Sequence, residues 1–217
     1  MNELPPPDKP YSCEGVMKRL RDGNDMYCRR LKAKTTKFSD KDYLLATDPP
    51  KQEPYAAILS CADSRVIPEH AFWAGEGELF VCRNAGNISP PTTIASLEYA
   101  VEHLGVPVIV VMGHEVCGAV QATLDLVNKH QNLGDNLNEM AAYILPAVNQ
   151  PKARNIKSAV IRNANISAEG LTRRSDLLKE KVESGKLFIC AAYFHLSAPS
   201  PGKVDWLGDC TCPKLDD

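Results

Sequence analysis

Long hydrophobic runs are missing from this sequence: none, residues 106–112 included, approaches the roughly 18 residues that a membrane-spanning helix needs. An excess of either charge is missing too, because 25 lysine and arginine residues face 27 aspartate and glutamate residues, which argues against a nucleic-acid partner. The first twelve residues contain neither a basic segment nor an apolar one. We therefore expect no secretory signal, no membrane partner and a cytoplasmic protein.

Cysteine is too sparse for a disulfide-stabilised scaffold, since 8 cysteines in 217 residues fall well below the ~8–10% typical of that class. In a reducing compartment such thiols are buried, bind metals or serve redox chemistry. Cys82 and Cys190 lie inside apolar runs, so we expect them to be core thiols. Cys210 and Cys212 form a short motif near the end of the sequence, to which we assign no role.

Strand and helix patterns alternate along the chain. Short apolar runs, typical of strands covered on both faces, occupy residues 55–60, 79–82, 106–112 and 186–196. Helical patterns occupy residues 93–104, 119–130, 136–148 and 155–184, the last with a break near 167–170. We expect Thr93 to cap the first of these helices and Gly105 to end it. The pattern predicts an α/β fold whose mostly parallel four-stranded sheet is flanked by helices, with residues 203–207 as an additional antiparallel edge strand.

The residues before the first strand have a different character. Residues 1–11 are rich in proline and predict an extended tail. Residues 12–217 are then expected to form one domain, in which a helix over 13–32 and a polar connection over 33–54 precede the α/β core at 55–217. Because the helical arm has no obvious partner in its own core, we expect it to wrap around a neighbouring subunit.

Three potential metal ligands follow two of the strands. Cys61 comes directly after the first strand, and His114 and Cys117 come after the third. In open α/β sheets, ligands bind beyond the carboxyl ends of the strands. A lone cysteine in such a place is usually a buried thiol, but two thiolates with one imidazole suit zinc and leave its fourth position open for chemistry. The combination therefore predicts a catalytic zinc site.

Four segments of the sequence resemble the β-class carbonic anhydrases: CADSR at 61–65, RNAGN at 83–87, SLEYAVEHLGV at 96–106 and GHEVCGAV at 113–120. The resemblance extends from about residue 12 to residue 207. It implies an enzyme with one zinc ion per chain that interconverts carbon dioxide and bicarbonate through attack of a zinc-bound hydroxide. It also implies that a homodimer is the smallest functional unit.

The resemblance also assigns roles within the metal site. Cys61, His114 and Cys117 match the zinc ligands of the family. Asp63 matches an aspartate that either binds the metal, which closes the site, or pairs with an arginine, here Arg65.

Further positions match the substrate pocket of the plant-type branch. Gln52 matches a glutamine that hydrogen-bonds substrate across the dimer interface, Phe80 and Tyr99 match apolar pocket residues, and Gly118 follows the last metal ligand. Ile58 stands three residues before Cys61, where the branch inhibited by bicarbonate has tryptophan. The resemblance thus favours the open-site type, in which Asp63 pairs with Arg65.

The other histidines are expected to lie outside the metal site. His70 is only a candidate for carrying the product proton, His103 and His130 are expected on helix surfaces, and His195 is expected to be structural. Two alternatives to carbon dioxide hydration stay open. One is a relative of the same fold that acts on carbon disulfide or carbonyl sulfide, and the other is a non-catalytic protein that uses the metal or its thiols for folding.

Overall fold

The computed structural model describes residues 4–32, 52–130, 132–149 and 155–210. Residues 33–51, which make up most of the predicted connection over 33–54, and Cys212 lie outside these ranges. The helices and strands follow in the order α1 Cys13–Lys32, β1 Ala56–Cys61, α2 Pro68–Ala71, β2 Leu79–Asn84, α3 Pro91–Leu104, β3 Val108–His114, α4 Gly118–Lys129, α5 Asp135–Val148, α6 Ile156–Arg174, α7 Asp176–Glu183, β4 Phe188–Phe194 and β5 Val204–Leu207. No helix in the described part of the chain is both long and apolar enough to cross a membrane.

The five strands form a single sheet in the order β2-β1-β3-β4-β5. The first four are parallel to one another, and β5 pairs antiparallel with the outer side of β4. The predicted fold class is therefore confirmed, including the antiparallel edge strand. The order places β1 beside β3, so the carboxyl ends of these two strands meet at the same edge of the sheet.

Helices cover both faces of the central strands, which explains why the strands read as continuous apolar runs. Every residue of β1 and β3 is buried. Successive side chains alternate between two hydrophobic clusters, so that Ile58 and Val110 pack on one face while Leu59 and Val111 pack on the other.

Helix α1 packs against its own chain, contrary to the expectation that it lacks a local partner. Val16 and Leu20 are fully buried in the hydrophobic cluster on one face of the sheet. The buried guanidinium of Arg19 donates to the carbonyl oxygens of Phe72 and Trp73 at 3.0 and 2.8 Å. It also donates to Pro5 O at 2.8 Å, so part of the proline-rich tail is tied to α1.

The predicted start of helix α3 is wrong. Helix α3 begins at Pro91 rather than at a Thr93 cap, and the Thr93 hydroxyl instead accepts a hydrogen bond from Asn84 Nδ2 at 3.0 Å. Gly105 does end this helix, in the left-handed conformation.

Helix α6 runs without a break to Arg174. Ser167 and Gly170, the expected site of the break, lie where the helix packs closely on Ser89, whose hydroxyl donates to Ser167 O at 3.2 Å. The small residues permit this contact, and the chain turns only at Ser175, which caps α7.

Candidate metal centre

The three predicted metal ligands converge at one edge of the sheet. Cys61 is the last residue of β1 and His114 is the last residue of β3, so both sit on the strands rather than just beyond them. Cys117 directly precedes helix α4, in an extended conformation. Their ligand atoms all lie within 4.8 Å of one another, and the side chains are buried.

The His114 imidazole is oriented as a metal ligand requires. Its Nδ1 lies 3.0 Å from the carbonyl oxygen of Glu115 and donates to it, which leaves Nε2 with a free lone pair. Nε2 is buried and has no hydrogen-bond partner among the described residues. Ligating histidines usually donate their second ring nitrogen to a carbonyl or carboxylate in this way. A metal ion would therefore satisfy the orphaned nitrogen.

The surroundings of the two thiols favour their deprotonation and the binding of a cation. Their sulfur atoms lie 3.9 Å apart, and Gly86 N donates to Cys61 Sγ at 3.3 Å. A hydrogen bond from Cys117 and another from Gly86 N lower the pKa of Cys61 to about 4, although burial opposes them. The same contact, together with burial, raises the pKa of Cys117, because a thiolate lies beside it. A divalent cation would offset the repulsion between two thiolates, so this donor set fits zinc.

Asp63 borders the ligand cluster and is held by Arg65. Arg65 Nε donates to Asp63 Oδ1 at 2.9 Å and Nη2 donates to Oδ2 at 2.7 Å, while the backbone N–H of Arg65 donates to Oδ1 at 2.9 Å. These bonds hold the pKa of Asp63 well below its ordinary value, mainly through the guanidinium. Asp63 Oδ2 lies 3.9 Å from His114 Nε2. An ionised oxygen therefore stands beside the nitrogen that faces the metal position.

Arg83 is a positioning residue that the sequence reasoning missed. It lies in β2 opposite Ser60, and its guanidinium donates to Cys61 O at 3.1 Å and to Asp63 O at 2.7 Å. One side chain thus fixes the backbone at both ends of the turn that carries the metal ligand and the carboxylate. The signal in the sequence was the RNAGN segment at 83–87, which carries the family resemblance but did not indicate this role for Arg83.

The predicted substrate-pocket residues are only partly brought together. The rings of Phe80 and Tyr99 lie 6.3 Å apart, with Phe80 half-buried and Tyr99 48% exposed. Gln52 is exposed ahead of β1, and Gly118 is exposed as the first residue of α4. Ile58 is fully buried in β1, in a different hydrophobic cluster from that of Cys61 and Cys117. These residues keep their pocket roles as predictions.

Comparisons with known proteins agree with this site. Residues 56–203 match the family model described as carbonic anhydrase. Carbonic anhydrase 2 of Mycobacterium tuberculosis is 32% identical over 182 residues, which cover 82% of this chain and 86% of the relative.

Solved structures give the same result. A tetrameric β-carbonic anhydrase of Sordaria macrospora aligns with a TM-score of 0.62 and 27% identity, over 73% of this chain and 82% of its own. The β-carbonic anhydrase CafA of Aspergillus fumigatus aligns with a TM-score of 0.60 and 25% identity, over 75% and 78% of the two chains. On these matches, and on the parallel sheet that brings two cysteines and a histidine together, the chain belongs to the β class of the carbonic anhydrase family.

Proposed function

We propose that this chain catalyses the reversible hydration of carbon dioxide to bicarbonate and a proton at an open-type zinc site. The observation that carries the proposal is the pairing of Asp63 with Arg65 beside a buried cluster of Cys61, His114 and Cys117. With the carboxylate held by the arginine, Cys61, His114 and Cys117 would hold zinc and leave room for a reactant beside it.

Zinc, when bound, supplies a Lewis acid that makes water nucleophilic near neutral pH. The chain supplies the three ligands, and hydrogen bonds with Gly86 N and Glu115 O hold Cys61 and His114 in place. Because two thiolates cancel the formal charge of the ion, they should weaken its power to lower the pKa of water. We therefore expect activity to rise on the alkaline side of neutral.

Asp63 orients the reacting water in this scheme. Its carboxylate stays ionised because Arg65 donates to both oxygens, so it can only accept hydrogen bonds. Oδ2 lies 3.9 Å from His114 Nε2 and therefore borders the position where a reactant would sit. By accepting a hydrogen bond from a water molecule there, Oδ2 would direct a lone pair of the water oxygen towards carbon dioxide. Ile58, in place of the tryptophan of the inhibited branch, supports the same open arrangement.

We assign the substrate pocket to a homodimer, or to a larger assembly built from it. In one chain Gln52 and Tyr99 are exposed and the Phe80 ring is half-buried, so the pocket wall is incomplete. A second copy that covers these residues would enclose the pocket and bring in Gln52. The tetrameric relative of Sordaria macrospora supports an assembly of this kind.

A mixed dimer tests whether Gln52 acts across the interface. Gln52→Ala removes the amide, and Cys117→Ser removes a zinc ligand, so neither homodimer should be active. In a hybrid of the two, the chain with intact zinc ligands receives Gln52 from its partner, and we expect activity to return. Light scattering should give a mass at least twice the 23.8 kDa of one chain. A monomeric mass, or a hybrid as inactive as its parents, contradicts the assignment.

We place the protein in a reducing compartment, the cytoplasm. The metal ligands bind zinc only as reduced thiols, and six described cysteines, including both ligands, are free. Cys13 in α1 is disulfide-bonded, which is uncommon in the cytoplasm, but it packs against a different hydrophobic cluster from that of the ligands. Fractionation of cells followed by zinc analysis of the purified protein would test this location.

Stopped-flow carbon dioxide hydration against pH, with zinc quantification on the same sample, tests the activity. We expect one zinc ion per chain and turnover that increases with pH. Parallel assays on carbonyl sulfide and carbon disulfide test the alternative substrates. Zinc binding without hydration, or faster turnover of a sulfur substrate, would overturn the proposal.

A further inference from the structure

A groove of about 450 Å³ lies beside the metal centre, and its wall includes the histidine that follows β4. Arg65 and Val116 line it on the side of the metal centre, and His195 and Ser197 line it on the side of the loop after β4. Tyr27 of α1 closes another side. At about 30 Å³ for each water molecule, the groove has room for a chain of several waters.

The groove has a fixed wall because one carboxylate joins the two loops. Glu115, between the ligands His114 and Cys117, accepts hydrogen bonds from the backbone N–H groups of Leu196 and Ser197, both at 2.8 Å. Its other oxygen accepts from the Ser197 hydroxyl at 2.8 Å. The residue before this anchor is His195, whose own N–H donates to Lys203 O at 2.9 Å. The backbone of His195 is thus held from both sides.

The imidazole of His195 is paired with a carboxylate. Its Nε2 lies 2.6 Å from Asp205 Oδ2, and Lys203 Nζ lies 2.7 Å from the other oxygen of Asp205. The ring meets Tyr193 edge to face at 4.9 Å and is partly exposed. The charged groups around it are therefore Asp205, Lys203 and Glu115, with Arg65 across the groove.

We propose that His195, supported by Asp205, is the residue through which the product proton leaves the metal centre for solution. Hydration converts carbon dioxide and water to bicarbonate and one proton, and the proton must leave before the next turnover. It would pass along water in the groove to the imidazole, and His195 would then give it to a buffer base. Imidazole suits this task because the side chain of histidine can both bind and release a proton near neutral pH.

This inference rests on the proposed function, since a proton relay has a task only if carbon dioxide is hydrated. It also replaces the structural role that the sequence suggests for His195. Since burial lowers the pKa of His70, the earlier candidate, His70 is less suited to hold a proton near neutral pH. Because His195 touches neither substrate nor metal in this scheme, its loss should affect turnover and leave the chemical step intact.

The test compares His195→Ala with His130→Ala, which removes an exposed histidine at the end of α4. Stopped-flow assays at low buffer concentration should show kcat reduced at least about tenfold in His195→Ala only. The value of kcat/KM, taken from oxygen-18 exchange at chemical equilibrium, should be unchanged, which shows that the proposed function is intact. Added imidazole should restore kcat, and zinc content should match that of the parent protein.

Asp205→Asn provides a second readout that a purely structural role would not move. It keeps the shape of the side chain but removes the carboxylate that pairs with His195 Nε2, so kcat at low buffer should fall while kcat/KM stays unchanged. Three results would overturn the proposal: an unchanged kcat at low buffer in His195→Ala, a loss of kcat/KM equal to that of kcat, or no rescue by imidazole. Loss of hydration in the parent protein would instead count against the proposed function.

Discussion

The carboxylate of Asp63 and the guanidinium of Arg65 form a two-point contact, with Oδ1 2.9 Å from Nε and Oδ2 2.7 Å from Nη2. The two residues are separated by a single residue in a tight turn after β1, so the contact forms locally and needs no long-range folding. The same Oδ2 lies 3.9 Å from His114 Nε2. The arginine therefore controls whether this oxygen is available to water or to the metal itself.

Replacing Asp63 with alanine should leave zinc bound and remove most of the activity. In the proposed mechanism the carboxylate is not one of the three ligands but accepts the hydrogen bond that orients the reacting water. We expect a loss of about 10²-fold in kcat/KM by stopped-flow hydration. Asp125→Asn is the matched control, because Asp125 forms a helix-surface pair with Lys129 at 3.1 Å. Full turnover in Asp63→Ala would show that the carboxylate has no role in the reaction.

Arg65→Gln should change the dependence of stability on pH. The guanidinium holds the pKa of Asp63 below its ordinary value of 3.8 in the folded chain. A depressed pKa contributes stability that is present above the ordinary value and is lost as the pH falls through the folded-state value. Urea unfolding should therefore show Arg65→Gln to be less stable than the parent at pH 7, with a difference that shrinks below about pH 4.

Arg65→Lys serves as the comparison, because it keeps the positive charge but cannot form the two parallel bonds. We expect its stability to lie between those of the parent and Arg65→Gln. A stability difference between parent and Arg65→Gln that stays constant with pH would mean that the pair does not stabilise the folded chain through the Asp63 charge.

Loss of one metal ligand should release zinc. His114→Gln removes the imidazole, and Cys117→Ser replaces a thiolate with a weaker ligand. Each should lower zinc affinity by more than about 100-fold, since even residues that merely orient ligands contribute 10- to 100-fold. Zinc should be measured after dialysis against a chelator, with Cys28→Ser in α1 as the cysteine control. Zinc retained at one ion per chain in Cys117→Ser would contradict the assigned ligand set.

The sheet and the metal ligands were predictable because their signals are local and combine simply. An apolar run predicts a buried strand, and β1 and β3 are such runs. Polar or thiol side chains at the ends of neighbouring parallel strands then meet at the same edge. Cys61 and His114 follow this rule, and Cys117 comes close to them through the turn into α4. The apolar runs and the rule about the ends of parallel strands were sufficient to predict this part of the site.

Contacts between residues distant in sequence were not predictable in the same way. The Arg83 guanidinium reaches two carbonyl oxygens on β1 and its turn, which depends on strand register rather than on composition. Ser167 and Gly170 have low helix propensity and suggested a break, but close packing on Ser89 keeps the helix intact. Helix α1 packs in a hydrophobic cluster with residues distant in sequence, among them Met112 and Phe194. In each case the outcome depends on contacts between residues distant in sequence and not on the local sequence alone.

Gly86→Ala should destabilise both the fold and the metal centre. Gly86 has a φ of +78°, and a Cβ there would lie 2.7 Å from Ile144 Cδ1 and 3.2 Å from the Cβ of Ala119. Because Ile144 is fully buried, it has little room to move. The backbone strain costs about 1–2 kcal/mol and the crowding about 1–3 kcal/mol more. Zinc affinity should also fall, since Gly86 N donates to Cys61 Sγ.

Gly105→Ala separates the two effects. Gly105 has a similar φ of +69°, but a Cβ there meets nothing within 4 Å. Urea unfolding should therefore show only the strain of about 1–2 kcal/mol for this variant, with zinc content unchanged. Equal losses of stability in the two variants would show that Ile144 gives way to the added methyl group. Equal zinc affinities would show that the Gly86 hydrogen bond does not hold the Cys61 sulfur in place.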